Sequence, residues 1–478
     1  MRRLRTTRLV AVFAITAACG QGGDGALTPP APPAAVATIT IAPPGSTALL
    51  VGASRVLSAV TRDAQGNTLS GRTISWTSSA TNIATVSESG AVTAVAAGVT
   101  QVSATSERRS DAVTITVRAQ PWSPTGALIA GRTLATLTLL ANGKALLVGG
   151  QTVGAPFQTL ATCELYDPAT GTWSNTGSLT TGRENHVTML LADGKVLVAG
   201  GLSTNPLVRL GSAEIYDPAT GTWSAAGNMA VARQLAAAVR LADGRVVVAG
   251  GSGVGSDLNA IATTEIYSPT TGRWTTANPL TAARSAHTAA LLTDGTVLVS
   301  GGGGGTFAAP ALLASAERFD PITGAWTVTG GVSTARGFHR TLTLANGRVL
   351  MIGGSNFVST VFGTSDLFNP VTGTWTPTGA LSTARISHSA TLLAGGQVLV
   401  AGGANSLPLT SSELYDPTTG SWSNAGEMRV ARSNHASVML ASGKVLVAGG
   451  QGVGAAASAE LFDPTSTSSA TLRVTSRP

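Results

Sequence analysis

A repeat of about 50 residues constrains this chain more than any other feature of its sequence. The repeat runs seven times between Trp122 and Asp463, and a period of this length is typical of the four-stranded blades of β-propellers. Each unit carries a glycine doublet, at Gly149-Gly150, Gly200-Gly201, Gly250-Gly251, Gly301-Gly302, Gly353-Gly354, Gly402-Gly403 and Gly449-Gly450. Each also has an aromatic-X-Pro triad, beginning at Tyr166, Tyr216, Tyr267, Phe319, Phe368, Tyr415 and Phe462. The third shared mark is a tryptophan, at Trp122, Trp173, Trp223, Trp274, Trp326, Trp375 and Trp422.

The repeat is circularly offset, because Trp122 precedes the first doublet and no tryptophan follows the last one. We therefore expect a seven-bladed propeller over residues 119–466 in which the segment around Trp122 supplies the outer strand of the last blade. Such closure removes the free sheet edges that invite aggregation. The alternative is that residues 470–474, in the C-terminal tail 467–478, form that strand.

Composition favours an exported, strand-rich protein over a cytosolic enzyme. Charged residues make up 11% of the chain, against about 25% in typical soluble domains. The formal charge of +7 falls to +3 without the four arginines of the N-terminal segment, Arg2, Arg3, Arg5 and Arg8. No basic cluster with interleaved aromatic residues remains, so the sequence predicts no nucleic-acid partner.

The N-terminus has the pattern of a signal peptide over residues 1–18. A basic start and an apolar run over 9–18 lead to Ala-Ala-Cys-Gly, in which the cysteine is Cys19. This ending resembles the lipobox of bacterial lipoproteins, although Thr16 stands where leucine is usual. The resemblance implies a lipid on Cys19 as the only membrane attachment, and plain secretion is the alternative. Residues 19–35 are small, polar and proline-rich, which predicts an extended tether.

Residues 36–118 consist of short β-branched runs, such as 38–41 and 112–117, separated by turn signals. This pattern predicts a β-sandwich with Trp76 as its core aromatic residue. The passage from 74 to 98 resembles the group 2 bacterial immunoglobulin-like domain. That resemblance implies a surface spacer or adhesin module, and no ligand site is evident within it.

The repeat units resemble the kelch repeat, in which a glycine doublet is followed by tyrosine or phenylalanine, then tryptophan, then an arginine and often a histidine that open the next unit. In the unit from Arg183 to Trp223, a hairpin turn at Asp193-Gly194 joins two apolar strands, and two further strands follow. The fold class is therefore all-β. Kelch propellers, which share the architecture of galactose oxidase, are mostly recognition or scaffold modules, although enzymes also use this architecture.

Charged residues and histidines recur in register, which favours a structural role over a catalytic one. The five histidines each stand three residues after a repeat arginine: His186, His287, His339, His388 and His435. Seven arginines recur, at Arg132, Arg183, Arg233, Arg284, Arg336, Arg385 and Arg432, and seven acids, at Glu164, Glu214, Glu265, Glu317, Asp366, Glu413 and Glu460. We expect the arginines and acids to pair within or between blades, with the bidentate geometry that arginine prefers.

The sequence predicts no catalytic residues, no metal ligands and no cofactor. Galactose-oxidase-like copper enzymes need a cysteine-tyrosine crosslink, whereas every tyrosine here belongs to the repeat and Cys163 occupies a position of small residues. The turn beginning at Asp167 resembles the Asp-box of sialidases, but its aspartate-to-glycine spacing differs. No carboxylate pair outside the repeat stands ready for acid and base chemistry.

Binding is predicted where the repeat breaks its own symmetry, in the variable second connection of each blade. The candidate ligand-binding residues are Phe157, Asn205, Arg209, Asp257, Asn259, Phe307, Asn356, Phe357, Phe362 and Asn405. Their mainly uncharged character suits a neutral protein surface or a glycan. We thus expect a monomeric, non-enzymatic recognition or adhesion scaffold, lipid-anchored in the bacterial cell envelope or secreted. The alternative is an extracellular carbohydrate-active enzyme, an oxidase, glycosidase or lyase.

Overall fold

The computed structural model describes residues 33–253, 259–306 and 310–466. Those residues form β-strands and one short 3-10 helix, Pro464–Ser466, and they include no α-helix. Cys19, Asp257, Phe307, the signal peptide 1–18, most of the tether and the tail 467–478 lie outside them. The chain divides into two compact units, one centred on residues 54–93 and 99–115 and one that contains the whole of 116–466.

The N-terminal strands form three small antiparallel sheets. Their strands are Thr38–Ala42 with Ser58–Arg62; Thr47–Leu50 with Arg109–Arg118, Gly98–Ser106 and Ser75–Ser78; and Ser54–Val56 with Ala91–Ala94 and Ala84–Val86. Alternate residues are buried, as in Arg109–Arg118, where Val113, Ile115 and Val117 face inward. Trp76 is half-buried, with its ring over Gly90, where a Cβ would come within 3.1 Å of it.

The repeats fold into seven antiparallel sheets in the described part of the chain, here called blades I to VII; six have four strands, and blade VI has a short fifth strand, Ala404–Asn405, beside its four. Blade I comprises Thr136–Leu139, Ala145–Val148, Cys163–Asp167 and Thr172–Thr176. Blade II comprises Val187–Leu190, Val196–Ala199, Ser212–Asp217 and Thr222–Asn228. Blade III comprises Ala237–Arg240, Val246–Ala249, Thr264–Ser268 and Arg273–Ala277. Blades IV and V comprise Thr288–Leu291, Val297–Ser300, Ala316–Phe319 and Trp326–Thr329; and Arg340–Thr343, Val349–Ile352, Ser365–Asn369 and Thr374–Thr378. Blades VI and VII comprise Ser389–Leu392, Val398–Ala401, Leu407–Asp416 and Ser421–Arg432; and Ala436–Met439, Val445–Ala448, Ala459–Phe462 and Trp122–Thr125.

Three of the second connections carry additional short strands. These strands are Leu202–Thr204 with Leu207–Arg209, Gly303–Gly305 with Pro310–Leu312, and Ala404–Asn405, which folds back on the start of Leu407–Asp416. The second connections and the links between blades share one face, called the loop face. The first connections, which are hairpin turns, and the third connections lie on the opposite face, called the turn face.

The ring closes through the strand at Trp122. Trp122–Thr125 pairs antiparallel with Ala459–Phe462, and Trp122 stands opposite Phe462. The first strands of the seven blades contact one another in cyclic order, from blade I through blade VII and back to blade I. Of the two segments considered for the closing strand, the structure places Trp122–Thr125 there, whereas residues 470–474 lie outside its description.

Aromatic pairs fill each blade and connect it to the preceding one. In every blade the triad aromatic ring lies 5.0 to 5.2 Å from the tryptophan ring, measured between centroids. In blade I, Trp173 Nε1 donates to the carbonyl of Gly126 at 2.9 Å, and Tyr166 shares a 2.7 Å hydrogen bond with the hydroxyl of Thr125. Gly126 and Thr125 both belong to the preceding segment of the ring, so these side chains fix the spacing between blades as well as the packing within one.

The seven repeat arginines form buried ion pairs with the seven repeat acids, each pair within one blade. The N–O distances run from 2.6 to 3.2 Å, and every side chain is at most 6% exposed. In each pair a single guanidinium nitrogen contacts a single carboxylate oxygen, so the bidentate geometry expected from the sequence is wrong. In blade II, Arg183 Nη1 donates to the carbonyls of Gly200 and Ser212, while Glu214 Oε2 accepts from the backbone N–H of Thr180. Each pair thus ties the second connection, the third strand and the link from the preceding blade together.

The glycine doublets allow the next blade to approach. Gly200 and Gly201 have φ angles of 66° and 100°, a region that favours glycine. A Cβ on Gly200 would lie 2.6 Å from the carbonyl oxygen of Arg233, which accepts a 2.8 Å hydrogen bond from Gly201 N–H. The doublet therefore links one blade to the arginine of the following blade.

Removing one member of a buried pair should destabilise the protein far more than removing an exposed one. We expect Arg183→Met to lower the free energy of unfolding by about 3–5 kcal/mol, because Glu214 remains buried without its counter-charge. The matched control is Lys195→Met, whose partner Asp217 lies in the same blade with both side chains exposed by 31% or more; its loss should be much smaller, because an exposed ion pair contributes little to stability. Chemical denaturation measures both values, and equal losses would contradict the structural role of the buried pairs.

Candidate functional site

The five histidines lie between neighbouring blades, as the sequence predicted from their register. All are 7% exposed or less. A Cβ on the first glycine of the preceding doublet would lie within about 3.1 Å of each imidazole Cε1, as for Gly149 and His186. Three rings also bond a hydroxyl of the preceding blade: His186 with Thr136 at 2.9 Å, His339 with Thr288 at 2.7 Å, and His435 with Ser389 at 2.9 Å. They act as spacers between blades.

Burial holds these imidazoles in the neutral form. It lowers the pKa of His186 and His339 to about 3, and the nearby guanidinium groups of Arg183 and Arg336 lower it further. The pKa values of the other three histidines are also well below the ordinary value, again mainly through burial.

A ring of seven residues in the left-handed backbone conformation surrounds the mouth of the axial channel on the loop face. Each stands two residues after a repeat arginine, with φ between 50° and 57°: Leu134, Asn185, Leu235, Ala286, Phe338, Ser387 and Asn434. Backbone hydrogen bonds of 2.9 to 3.1 Å connect neighbours in this ring, for example from Ala286 N–H to the Leu235 carbonyl and from Phe338 N–H to the Ala286 carbonyl. Sequence reasoning missed this ring, because only two of its members are asparagine, the non-glycine residue that most often signals this conformation.

Two cavities adjoin at this mouth. The first, of 220 Å³, is lined by six residues of the ring, by four histidines and by Arg340. The second is a 430 Å³ groove on the loop face, lined by Phe338 and Phe357 together with Ser252, Ser285 and backbone at Gly303. Leu235, Ala286 and Phe338 line both cavities, so the groove continues into the channel mouth.

An edge-to-face aromatic pair forms one wall of the groove. The rings of Phe338 and Phe357 lie 5.2 Å apart with an interplanar angle of 87°. The Phe357 ring lies on Gly303 and Gly337, where a Cβ would come within 2.7 Å or less of it. Both phenylalanines have positive φ, 54° and 62°, which is a rare conformation for a bulky residue.

The structure distributes the predicted loop residues over several roles. Among the predicted loop residues that the structure describes, only Phe357 lines the groove. Asn356 uses its side-chain oxygen to accept the N–H groups of residues 358–360, so it shapes the loop. Phe362 covers the buried Arg336 guanidinium at 5.2 Å. The remaining described candidates are exposed, namely Phe157, Asn205 and Asn405, or half-buried, namely Arg209 and Asn259.

The described residues do not provide a metal centre. No three His, Cys, Asp or Glu side chains in that part of the chain approach closely enough to hold an ion. Cys163 is buried and has no disulfide partner, and burial raises its pKa to about 11, so its thiol is inert. One buried acid escaped the sequence reasoning: burial raises the pKa of Glu184, beside the ring residue Asn185, to about 6.

Comparison with known proteins agrees with this architecture. Residues 35–117 match the bacterial Ig-like domain (group 2), and residues 185–230 match the kelch motif. No curated protein matches the chain. The structure is similar to that of a novel fungal alcohol oxidase of the AA5 family in complex with copper, with 18% identity, a TM-score of 0.59, and coverage of 72% of this chain and 76% of that one. It also aligns with the structure of YjhT, at 16% identity and a TM-score of 0.45, over 59% of this chain and 95% of that one.

These findings define the class of protein. The chain is an all-β protein that combines a group 2 bacterial Ig-like domain with a kelch-type β-propeller. The likeness to the alcohol oxidase shows a shared fold. The residues of this chain do not fit a copper centre, because its histidines lie between blades and its four tyrosines pack inside them, and we derive no copper chemistry for it. No helix of the described chain is long and apolar enough to cross a membrane.

The neutral histidines should make the fold sensitive to acid. In the unfolded chain the histidines bind protons near pH 6.5, whereas in the folded chain His186 and His339 bind them only near pH 3. The free energy of unfolding therefore falls as the pH drops from 6.5 towards 3. Each such histidine should cost about 1–2 kcal/mol between pH 6.5 and 5. The raised pKa of Glu184 has the opposite effect: it increases the stability of the folded state as the pH falls from about 6 to its ordinary pKa of 4.5. This is one group, whereas five histidines lower the stability.

Denaturation across this pH range tests the prediction. His339→Ala is the informative variant, because blades I and III carry Ala135 and Ala236 at the same position. It should lower stability at pH 7 and reduce the slope of stability against pH. Stability that does not change between pH 7 and 5 in the unmodified chain would contradict the assignment of neutral, buried imidazoles.

Proposed function

We propose that this protein is a non-enzymatic recognition or adhesion scaffold of the bacterial cell surface, which binds a glycan or a protein through the loop face of its propeller. The Ig-like domain serves as the spacer. The groove lined by Phe338 and Phe357, continuous with the channel mouth, is the centre of the binding surface.

The observation that carries this proposal is an aromatic pair in a strained conformation, in which Phe338 is exposed and Phe357 half-buried. Phe338 remains 38% exposed, although a left-handed conformation costs a bulky residue on the order of 1 kcal/mol. Blade IV fulfils the same structural role with Ala286. Burial alone therefore does not explain a phenylalanine here, whereas strain and exposed apolar surface are typical of binding sites.

The lining of the groove defines the chemistry of the partner. None of the described residues that line the groove is charged; they are two aromatic rings, small apolar residues, hydroxyls and glycine backbone. Aromatic faces pack against the C–H groups of a sugar or against an apolar side chain, and the hydroxyls of Ser252 and Ser285 supply orientation. A neutral glycan or an uncharged protein segment fits this lining better than a polyanion does.

Replacing both aromatic residues should abolish recognition without unfolding the protein. We expect the Phe338→Ala, Phe357→Ala double variant to bind partners found in glycan-array and pull-down screens at least about tenfold more weakly, because aromatic anchors dominate binding energy. The control is Ile322→Ala with Val371→Ala, which removes apolar side chains that are 94% and 92% exposed on the turn face.

Two results would contradict the proposal. One is a full set of screens in which the unmodified chain binds nothing, and the other is equal binding by the double variant and the unmodified chain. A bound glycan should also be recovered unchanged after incubation, because release of products would favour the alternative of a carbohydrate-active enzyme.

The proposed location rests on the N-terminal sequence. A lipid on Cys19 would hold the protein at the cell envelope with the tether and Ig-like domain as spacers. We expect the Cys19→Ser variant to appear in the soluble fraction of the envelope or in the medium, while the unmodified chain partitions with membranes. Membrane partitioning of both proteins would contradict lipid attachment at this residue.

A further inference from the structure

One charged side chain breaks the symmetry inside the axial channel. At the first position of the first strand, the other blades carry Thr136, Val187, Ala237, Thr288, Ser389 and Ala436. Blade V carries Arg340 there. Because the repeat itself does not need an arginine at this position, this residue requires another explanation.

The Nε atom of the Arg340 guanidinium is held by a hydrogen bond, whereas its two Nη atoms are open to the channel. Its Nε–H donates to the carbonyl of His388 at 2.9 Å, while the side chain as a whole remains exposed. Neither Nη atom has a protein partner in the described residues, and no ion pair there includes Arg340. Its accessible surface faces the channel, where it lines two cavities of 220 and 330 Å³.

The described surroundings of Arg340 are polar and uncharged apart from Arg340 itself. The 330 Å³ cavity is lined by the hydroxyl-bearing residues Thr136, Thr188, Ser389 and Ser437. Within residues 33–253, 259–306 and 310–466, no aspartate or glutamate lines either cavity. The cavity at the channel mouth includes both the ring of left-handed residues and Arg340, so a small solute can reach the guanidinium from the loop face.

We propose that the axial channel binds a small carboxylate at Arg340. The two free Nη groups form a fork that matches the two oxygens of a carboxylate, and the hydroxyls across the channel can donate to the same oxygens. A single guanidinium balances one negative charge, so a monoanion fits, whereas a dianion would retain an uncompensated charge in the channel. This site is separate from the neutral groove of the proposed function, and it extends the chemistry of the loop face to an anionic group.

The test is acetate binding by the full chain, followed as the increase in thermal unfolding midpoint at pH 7.5. Acetate replaces chloride at constant ionic strength, and sulfate is titrated in parallel. Ligand that binds only the folded state raises the midpoint in a saturable way. We expect such saturation with acetate in the unmodified chain, and a weaker effect with sulfate.

The repeat itself supplies a variant that removes the site and preserves the fold. Arg340→Thr introduces the residue that blades I and IV carry at this position, where Thr136 and Thr288 bond a histidine of the next blade; in blade V that histidine is His388. We expect Arg340→Thr to fold and to require at least about tenfold more acetate for the same shift, since it loses a charge-assisted interaction with the carboxylate. Arg340→Lys, which retains the charge but not the fork, provides a second test and should bind several-fold more weakly than the unmodified chain.

Two controls separate this site from other effects. Arg240→Met removes an exposed arginine at the opposite end of a first strand, outside both cavities, and should bind acetate within about twofold of the unmodified chain. The Phe357→Ala variant, which alters the groove but neither cavity at Arg340, should retain the acetate response, so failure of this inference is distinguishable from failure of the groove proposal. No saturable acetate effect, an equal effect in Arg340→Thr, or a stronger Arg340-dependent effect with sulfate would overturn the assignment.

Discussion

The buried arginine–carboxylate pair is the interaction on which the rest of the propeller depends. Each pair is anchored to the backbone at several points: Arg183, for example, contacts the carbonyls of the glycine doublet and of the residue that opens the third strand, and Glu214 holds the link from the preceding blade. A buried charge is tolerated because its hydrogen-bonding groups are satisfied in this way. Since the pair lies at the loop face, it fixes the positions from which the variable connections depart.

In this arrangement, the residues that recur from blade to blade hold the structure, and the residues that differ between blades are available for contacts with partners. The arginines, doublets, histidines and left-handed ring repeat around the axis, and they make the channel mouth nearly independent of the loops. Function is then expected where individual blades depart from the repeat. The pair of Phe338 and Phe357 and the channel-facing Arg340 are departures of this kind. Residues of blades III, IV and V line the groove, and residues of blades I, II, VI and VII line the cavity at Arg340.

The register of the repeat predicted the recurring structural residues well, but it did not distinguish the residues of the proposed binding sites. The doublets, the aromatic pairs, the arginine–acid pairs and the spacer histidines each recur seven or five times, so their structural role was legible in the sequence. Phe357 could be named as a candidate from the sequence because it lies in a variable connection. Phe338 and Arg340 could not, because they stand inside the most regular part of the unit, and their exposure becomes visible only when seven first strands surround one axis. Asn356 and Phe362 also make local contacts, an Asx turn and a ring over Arg336, which the sequence did not reveal, and their part in binding stays a prediction.

Hydrogen exchange of individual backbone amides tests the central claim, a rigid ring that presents adaptable loops. The amides that connect neighbours at the channel mouth, such as those of Leu235, Ala286 and Phe338, should exchange only through global unfolding, while those at the tips of the second connections, such as Asn205 and Val358, should exchange orders of magnitude faster. Exchange of the ring amides at the rate of the loop tips would show that the buried pairs do not hold the mouth in one conformation, and the account would fail.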